Sequence, residues 1–411
     1  MIRIKDLSLS PNDSLDRLVQ LAAKQLRIRE NEIVQLDIRK KSIDARKKHD
    51  VRIIYTVDVA VKEREDKLLK RVKNPKLEIA RDYIYEPPVC DGAEHPPVVI
   101  GFGPAGMFAA LVLAMAGLRP LVLERGLDVD TRHETVQQFW QTGQLDPGCN
   151  VQFGEGGAGT FSDGKLNTGT KNPRIHWVLE QLADAGAQGE ILFDAKPHVG
   201  TDVLRYVVKN IRERIISLGG QVRFGVQVVD LEVTQKRLTG LVAEENGKRI
   251  SIPCHHAIIA IGHSARDTFE MLFDKGISME AKPFSMGVRI EHKQAEIDKA
   301  QYGPFAGHPN LPAADYKLSV HLPDGGSAYT FCMCPGGYVV AAASEEEGVV
   351  TNGMSNAARD GANANSALLV TLNPDVFPGR SPLSGMRWQQ EIERQAFRAG
   401  GSNYHAPAQL V

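Results

Sequence analysis

The chain has 411 residues, of which 42% are hydrophobic and 24% are charged, with a formal net charge of −1. This length predicts two or three domains, and the near-neutral charge gives no general attraction to nucleic acids or anionic membranes. The five scattered cysteines exclude a disulfide scaffold and favour a reducing compartment. The most apolar stretch is interrupted by Arg119 and Pro120, and the N-terminal residues lack a secretory signal pattern, so we expect a cytoplasmic protein with no membrane partner.

Residues 1–85 are predicted to form a small α+β module. Asp13 or Ser14 is placed to cap its first helix. Alternating and helical spacings of apolar residues predict its elements at residues 2–9 (strand), 15–26 (helix), and 33–38 and 51–61 (strands).

The part of this module from Arg39 to Lys73 is rich in lysine and arginine. A dense basic surface suits contact with RNA phosphates. Acidic residues are interleaved with the bases, however, and such a mixture is typical of an ordinary solvated hairpin. We therefore expect no nucleic-acid partner, and RNA binding through this module stays open as the alternative function.

Residues 86–97 form a proline-rich linker, and the most informative stretch of the chain follows it directly. Residues 98–124 contain, in order, an apolar strand-like run, a glycine turn, a helix-forming run and a second apolar run that ends in an acid. This order is typical of a unit that binds a dinucleotide. We predict that the unit spans residues 98–282 and that a second domain occupies residues 283–411.

Each glycine of the turn has a chemical role in such a unit. Gly101 allows the tight turn, Gly103 lets the backbone approach a pyrophosphate, and Gly106 lets the helix pack closely on the strand. The N-terminus of the helix offers unpaired N–H groups to the phosphates. Glu124 follows about 20 residues after the turn, where an acid accepts a hydrogen bond from a ribose hydroxyl.

Beyond Glu124 the predicted elements alternate between helices and strands before strands dominate. From about residue 283 to residue 338, strand-like pieces and turns predict a mostly antiparallel second domain. The helices of the first part are predicted at 129–141, 173–186 and 202–218, and its strands at 221–224, 226–233, 238–244, 248–252 and 256–261.

A second glycine-rich segment, residues 153–169, formally repeats the GxGxxG spacing at Gly154, Gly156 and Gly159. No apolar strand precedes it and no apolar helix follows, so a second nucleotide-binding fold is not expected here. Ordering so many glycines is entropically costly, which disfavours an ordinary surface loop. We expect a loop that passes close to a flat ligand, with polar contacts from Ser162, Asp163 and Lys165.

A third segment, residues 256–272, contains an apolar strand that ends at Gly262 and a helix that begins near Ala265. In doubly wound folds the cofactor lies at the carboxyl ends of the strands. Gly262 is therefore predicted to line the same crevice as the glycine turn.

Together these segments resemble the flavoproteins with two dinucleotide-binding domains, the FAD-binding class typified by glutathione reductase. More narrowly, FGEGGAGTFSDGKLNTG, AIGHSARDTFEML, KPFSMGVRIEH and YTFCMCPGGYVV, followed by Ala343 to Glu345 and VTNGMS, resemble the uncharacterised bacterial FAD-dependent dehydrogenase-like proteins. The resemblance covers nearly the whole chain. It implies a Rossmann-like α/β FAD-binding domain with an inserted, mostly antiparallel β substrate domain, preceded by the small α+β module.

The resemblance also implies roles for individual residues. The pyrophosphate would be held by Gly101, Gly103, Pro104, Ala105 and Gly106. The ADP-ribose would be held by Glu124, with Arg125 and Arg132 flanking the phosphates or the adenine. The backbone of Val228 would meet the adenine. The flavin would be approached by Gly156, Gly157, Ser162, Asp163, Gly164 and Lys165.

One departure from the class concerns the C-terminal part of the chain. Members of the class usually return to the FAD domain with a strand and a Gly-Asp or Gly-Glu pair, and no such segment precedes the final residues 405–411. We therefore expect a truncated or split form with reduced or lost flavin affinity. An inactive fragment that lacks the FAD-closing segment is a further alternative.

The catalytic acid and base are not identified by any motif, and Lys165, His263, Cys332 and Cys334 are the candidates. One residue separates Cys332 from Cys334, and a disulfide between them would be strained. Buried structural thiols are therefore favoured over a redox pair. Isolated histidines and a lone CxC give no metal site.

These patterns favour an FAD-dependent oxidoreductase that passes hydride between a small-molecule substrate and the flavin. Because no second nucleotide domain is visible, any NAD(P)H would bind transiently. The substrate and the oligomeric state are left open.

Overall fold

The computed structural model describes residues 1–323 and 325–411. Its helices and strands form mixed α/β units with both parallel and antiparallel sheets. Among the described residues, no helix combines the length and the apolar character needed to cross a membrane.

The N-terminal module is a four-stranded antiparallel sheet with two helices packed on it. The strand order is β2-β3-β1-β4, and the apolar faces of both helices complete one core with the sheet. The predicted cap is wrong: the first helix begins at Arg17, and Asp13 instead accepts a hydrogen bond from Ser10 N. The elements are β1 (Ile2–Leu9), α1 (Arg17–Leu26), β2 (Ile33–Asp44), β3 (Arg52–Val61), α2 (Glu65–Val72) and β4 (Leu77–Ile79).

Many basic side chains of this module are paired within the protein. Arg39 binds the buried carboxylate of Asp58 at 3.0 Å, and Arg46 binds Asp44 at 2.6 Å. Lys41 extends the module toward the rest of the chain, because its main chain exchanges hydrogen bonds with Phe193 O and Ala195 N. These contacts favour the ordinary charged surface over an RNA-binding patch.

The central region contains a parallel sheet and an antiparallel sheet. The parallel sheet has the order β11-β5-β6-β7, and the antiparallel sheet has the order β10-β9-β8. The central elements are β5 (Val98–Ile100), α3 (Pro104–Met115), β6 (Leu121–Glu124), α4 (Val129–Thr142), α5 (Arg174–Asp184), α6 (Thr201–Ser217), β7 (Gln221–Phe224), β8 (Val226–Thr234), β9 (Arg237–Glu245), β10 (Lys248–Pro253), β11 (Ala257–Ile259) and α7 (Arg266–Asp274).

The predicted order of strand, glycine turn, helix and strand at residues 98–124 is confirmed. Helix α3 is apolar on all sides because it is sandwiched between the parallel sheet and helix α6. This packing fixes the N-terminus of α3 at the carboxyl end of β5.

The C-terminal region is built on an antiparallel sheet with the order β12-β17-β14-β13, which confirms the predicted antiparallel character. A hairpin of β15 and β16 lies between this sheet and the glycine-rich segment, where Asn352 Nδ2 donates to Phe161 O at 3.0 Å. The elements are β12 (Phe284–Lys293), α8 (Gln294–Tyr302), β13 (Ser319–His321), β14 (Ser327–Cys334), β15 (Tyr338–Ala341), β16 (Thr351–Met354), β17 (Asn363–Leu372) and α9 (Ser384–Ala399).

Candidate functional site

A cavity of about 410 Å³ opens at the carboxyl ends of β5, β6 and β11. Its walls come from the glycine turn, the end of β6, the start of the glycine-rich segment, strand β8 and the residues after β11. Among the predicted cofactor-binding residues, the wall includes Gly101, Gly103, Pro104, Ala105, Glu124, Arg125, Gly157, Val228 and Gly262.

The three glycines of the turn are needed for different reasons. Gly101 has φ +94°, and a Cβ there would lie 2.5 Å from Ala260 O. A Cβ at Gly106 would collide with Gly101 O, so this glycine allows close packing inside the protein. Gly103 has φ −73°, and a Cβ there would meet only Gly157 Cα, at 3.7 Å. The fold therefore does not require a glycine at position 103, whereas a ligand backed against the turn would.

Helix α3 presents its N-terminus to this cavity. Its first helical residue is Pro104, a residue well suited to that position. The first N–H groups of a helix have no partner within the helix, and they carry partial positive charge. Ala105, in this first turn, lines the cavity wall. The cavity thus has the electrostatics of an anion-binding site.

Glu124 joins three main-chain segments at the cavity wall. Its carboxylate is only 5% exposed and accepts hydrogen bonds from Phe102 N at 2.7 Å and from Gly126 N and Gly154 N at 2.9 Å each. A carboxylate offers about four acceptor positions. One position therefore remains for a ligand hydroxyl, and the other three hold the site together.

A polar group that the sequence patterns did not reveal lies beside β8. The Arg125 guanidinium stacks 4.4 Å from the centre of the Phe153 ring and binds Asp267 at 2.8 Å. Gln227 Nε2 donates to the same carboxylate at 2.6 Å. These contacts form the wall next to Val228. Asp267 lies 142 residues from Arg125 and 40 residues from Gln227 in the chain, so no local spacing could have indicated these contacts.

Arg132 is not a wall residue, which corrects the expectation that it flanks the phosphates or the adenine. It is 0% exposed, and it donates to Asn150 O, Val151 O, Glu155 O and Gly157 O at 2.6–3.0 Å. With its donors bound to carbonyls, the guanidinium shapes the glycine-rich segment from behind.

The glycine-rich segment divides into two parts. Gly154, Gly157 and Gly159 line the cavity. The later residues pack elsewhere, since a Cβ at Gly164 would lie 2.9 Å from Leu204 Cδ1. The predicted ligand-facing residues that do not line the cavity are Gly106, Gly156, Ser162, Asp163, Gly164 and Lys165, in addition to Arg132.

Asp163 is the centre of a buried polar network that joins this segment to the C-terminal region. Its carboxylate accepts hydrogen bonds from Arg359 Nε at 2.9 Å, from Arg359 Nη2 at 2.5 Å, from Lys165 Nζ at 2.8 Å and from Ser355 Oγ. Burial alone would raise the pKa of Asp163, but the hydrogen bonds and charges of Arg359 and Lys165 outweigh it and hold the pKa at about 2. Asp163 and Lys165 thus stabilise an internal interface.

Glu155, eight residues earlier, has a different environment. Its side chain is 0% exposed; Oε2 accepts from Val129 N at 2.7 Å and Arg212 Nη1 at 3.0 Å, whereas Oε1 has no partner among the described residues. Burial, which the partial pairing with Arg212 does not offset, raises the pKa of Glu155 to about 7.

Of the four catalytic candidates, only His263 lines the cavity. Its Nε2 lies 3.3 Å from Ser264 Oγ. Desolvation and the charge of Arg266 lower the pKa of His263. Cys334 is buried, and burial raises the pKa of its thiol. Cys332 is exposed, so the expectation of two buried thiols is wrong for this residue.

Two family models match parts of the chain. Residues 283–411 match the family described as "FAD-dependent protein, C-terminal domain-like", and residues 1–60 match a domain of unknown function.

A protein of Clostridium beijerinckii, described as "Uncharacterized protein", is 51% identical over an alignment 415 residues long, which covers 100% of this chain and 76% of that protein.

Solved flavoprotein structures are also similar, at low levels. The flavin-dependent brominase Bmp2 is 14% identical, with 77% of this chain and 65% of that chain covered and a TM-score of 0.37. The flavin-dependent monooxygenase PieE is 15% identical, with 73% and 47% covered and a TM-score of 0.34. This chain therefore spans less than two thirds of either structure.

The sequence identity and the coverage of the clostridial protein are high enough to show that the two proteins belong to one family. The chain therefore belongs to the family of this Clostridium beijerinckii protein.

Proposed function

We propose that this chain is an FAD-dependent oxidoreductase of the dehydrogenase type, acting on a small-molecule substrate, and that FAD binds in the cavity at the carboxyl ends of the parallel strands. The observation that carries the proposal is Gly103. The backbone angles and the surroundings of this position would accept a larger residue. The position is nevertheless a glycine, and it lies directly before helix α3 in the cavity wall. A pyrophosphate in contact with the backbone explains this choice.

The remaining walls fit the other parts of the cofactor. The first turn of α3, with Ala105, would hold the pyrophosphate. The free acceptor position of Glu124 would receive a ribose hydroxyl, and Val228 with Arg125 would border the adenine. Gly157, Gly159 and Gly262 would let the backbone lie close to the rest of the cofactor, in keeping with a Rossmann-like FAD-binding domain.

When bound, FAD accepts or donates a hydride equivalent. The chain's own residues would bind the cofactor, exclude water and hold protons. His263 lies in the cavity wall, and an imidazole nitrogen can accept a proton, so we assign it the transfer of the substrate proton. Any nicotinamide nucleotide would bind transiently, since the cavity is assigned to FAD.

FAD titration of the full chain tests the proposal, with flavin absorbance and calorimetry as readouts. Gly103→Ala is expected to weaken FAD binding by at least about tenfold, because the new methyl group faces the phosphates. The free energy of unfolding without FAD should change by less than about 1 kcal/mol. The matched control is Gly189→Ala, where a Cβ has nothing within 4 Å. It should leave FAD binding unchanged.

Two results would contradict the proposal. The first is equal FAD affinity in the parent and in Gly103→Ala. The second is no FAD binding by the folded parent chain, which would instead favour an inactive fragment.

A further inference from the structure

Arg289 on β12 is a partly buried cation without an anionic partner. Its Nε donates to Asn365 Oδ1 at 2.9 Å, and its Nη2 donates to Cys332 O at 2.8 Å. Within residues 1–323 and 325–411 it forms no ion pair with a carboxylate, and its Nη1 donates to no acceptor. Glu291, two residues along the same strand, is bonded instead to Asn363 Nδ2 at 3.1 Å. Partly buried guanidinium groups are normally paired with acids, so this arrangement favours an anionic ligand.

The register of the sheet places an apolar group near this cation. Arg289 and Phe331 are both paired with Ala367, from opposite sides, so all three side chains lie on one face of the sheet. The backbones of β12 and β14 are about 10 Å apart across the intervening strand. The Phe331 ring is 56% exposed, and Ala367 contributes only a methyl group between the two larger side chains. This face therefore offers a charged end and an apolar end.

Asn365 provides a second, independent sign of a ligand. It is 0% exposed and lies on the same face, two residues from Ala367, with its Oδ1 bound to Arg289. Its Nδ2 is buried without a hydrogen-bond partner in the described part of the chain. An unsatisfied buried donor is rare and needs an explanation. An acceptor that reaches both Asn365 Nδ2 and the guanidinium of Arg289 would supply the missing partner.

This face is also tied to the glycine-rich segment that borders the cavity. Lys165 Nζ donates to Met333 O, one residue after the carbonyl that Arg289 binds. Cys332, whose carbonyl Arg289 binds, has φ +45° and lies at the irregularity in the pairing of β14 with β17. Backbone strain of this kind is concentrated at functional sites.

From these contacts we infer a binding site for a small carboxylate that carries an apolar, preferably aromatic, group. The carboxylate accepts hydrogen bonds from Arg289 and Asn365, since charge-assisted bonds to a guanidinium are the strongest available here. The apolar group packs on Phe331. As the substrate site of the oxidoreductase, this assignment rests on the proposed function.

Calorimetric titration with benzoate tests the site on the full chain, with and without added FAD. Benzoate should bind saturably, and its uncharged analogue benzamide should bind at least about tenfold more weakly. Arg289→Ala should weaken benzoate binding by at least about tenfold, and Arg289→Lys by less. The exposed Arg237→Ala, on another sheet, is the matched control and should leave the affinity unchanged.

A second variant keeps the test valid even if Arg289→Ala fails to fold. Phe331→Ala removes an exposed side chain, so it should weaken benzoate binding severalfold and leave the binding of acetate unchanged. The absence of saturable benzoate binding, or equal affinities in parent and Arg289→Ala, would overturn the inference. Because flavin absorbance is measured separately, FAD binding without benzoate binding overturns this site alone, and benzoate binding without FAD binding overturns the proposed cofactor site alone.

Discussion

The two parts of the glycine-rich segment, residues 154–159 and residues 162–165, have different structural roles although they are close in sequence. In the first part, Gly154, Gly157, Ala158 and Gly159 line the cavity. The second part turns its charged side chains inward, toward Arg359 and Ser355 of the C-terminal region. A single continuous motif thus builds a ligand-facing surface and an internal interface.

The two acids of this segment make the difference quantitative. Glu155 and Asp163 are 0% and 3% exposed, yet the pKa of Glu155 is raised to about 7 and that of Asp163 is lowered to about 2. Both carboxylates are desolvated, so burial cannot explain the contrast. The Asp163 carboxylate accepts hydrogen bonds from both prongs of Arg359, from Lys165 and from a hydroxyl, whereas one oxygen of Glu155 has no partner within residues 1–323 and 325–411. The partners, rather than the depth, determine the charge state.

The largest effect is expected from breaking the internal interface. Asp163→Ala leaves Arg359 and Lys165 without their counter-charge, and we expect the free energy of unfolding to fall by about 3–5 kcal/mol. Urea denaturation measures it. The control is Asp315→Ala, which removes the exposed pair with Lys196 and should cost less than about 1 kcal/mol. Equal losses in both variants would show that the network around Asp163 contributes no more than a surface pair.

A smaller effect on the free energy of unfolding is expected from Glu155, and its pH dependence is opposite to that of Asp163. Its pKa in the folded state is raised from 4.5 to about 7, so between these pH values the folded chain binds more protons than the unfolded chain. The free energy of unfolding should therefore fall as pH rises from about 4.5 to 7, by on the order of 2–3 kcal/mol. Asp163 acts the other way: its contribution is complete above its ordinary pKa of 3.8 and is lost as pH falls through about 2.

Glu155→Gln tests this assignment by denaturation at several pH values. The variant should flatten the slope between pH 4.5 and 7, because the amide does not ionise. Glu134→Gln, which changes an exposed acid on α4, should keep the slope of the parent. A slope that is unchanged in Glu155→Gln would assign the proton uptake to another group.

The smallest effect on stability is expected at the cavity-lining part. Gly159→Ala adds a methyl group whose only near neighbour is Pro104 Cγ at 3.7 Å, so the free energy of unfolding should change by less than about 0.5 kcal/mol. FAD affinity should fall severalfold, because the methyl group enters the cavity wall. Calorimetric FAD titration beside urea denaturation measures both. A loss of stability without a change in affinity would reverse the tasks assigned to the two parts.

The sequence could predict those features that depend on neighbours in the chain. The elements around the glycine turn were predictable because strand, turn and helix patterns are local, and the same holds for α6 with its apolar stripe. Asp163 was predicted to face the ligand, but its partner Arg359 lies 196 residues away, so no local pattern could indicate the interface. Arg132 was misassigned for a related reason: its acceptors are main-chain carbonyls, which have no sequence signature.

The triple hydrogen bonding of Glu124 has a consequence for the thermodynamics of ligand binding. One side chain immobilises the glycine turn, the end of β6 and the start of the glycine-rich segment at once. The walls are thereby arranged before any ligand arrives, and association does not have to bear the cost of ordering them. The site is preorganised, so the affinity for a ligand depends on the contacts that the ligand makes and little on ordering of the walls.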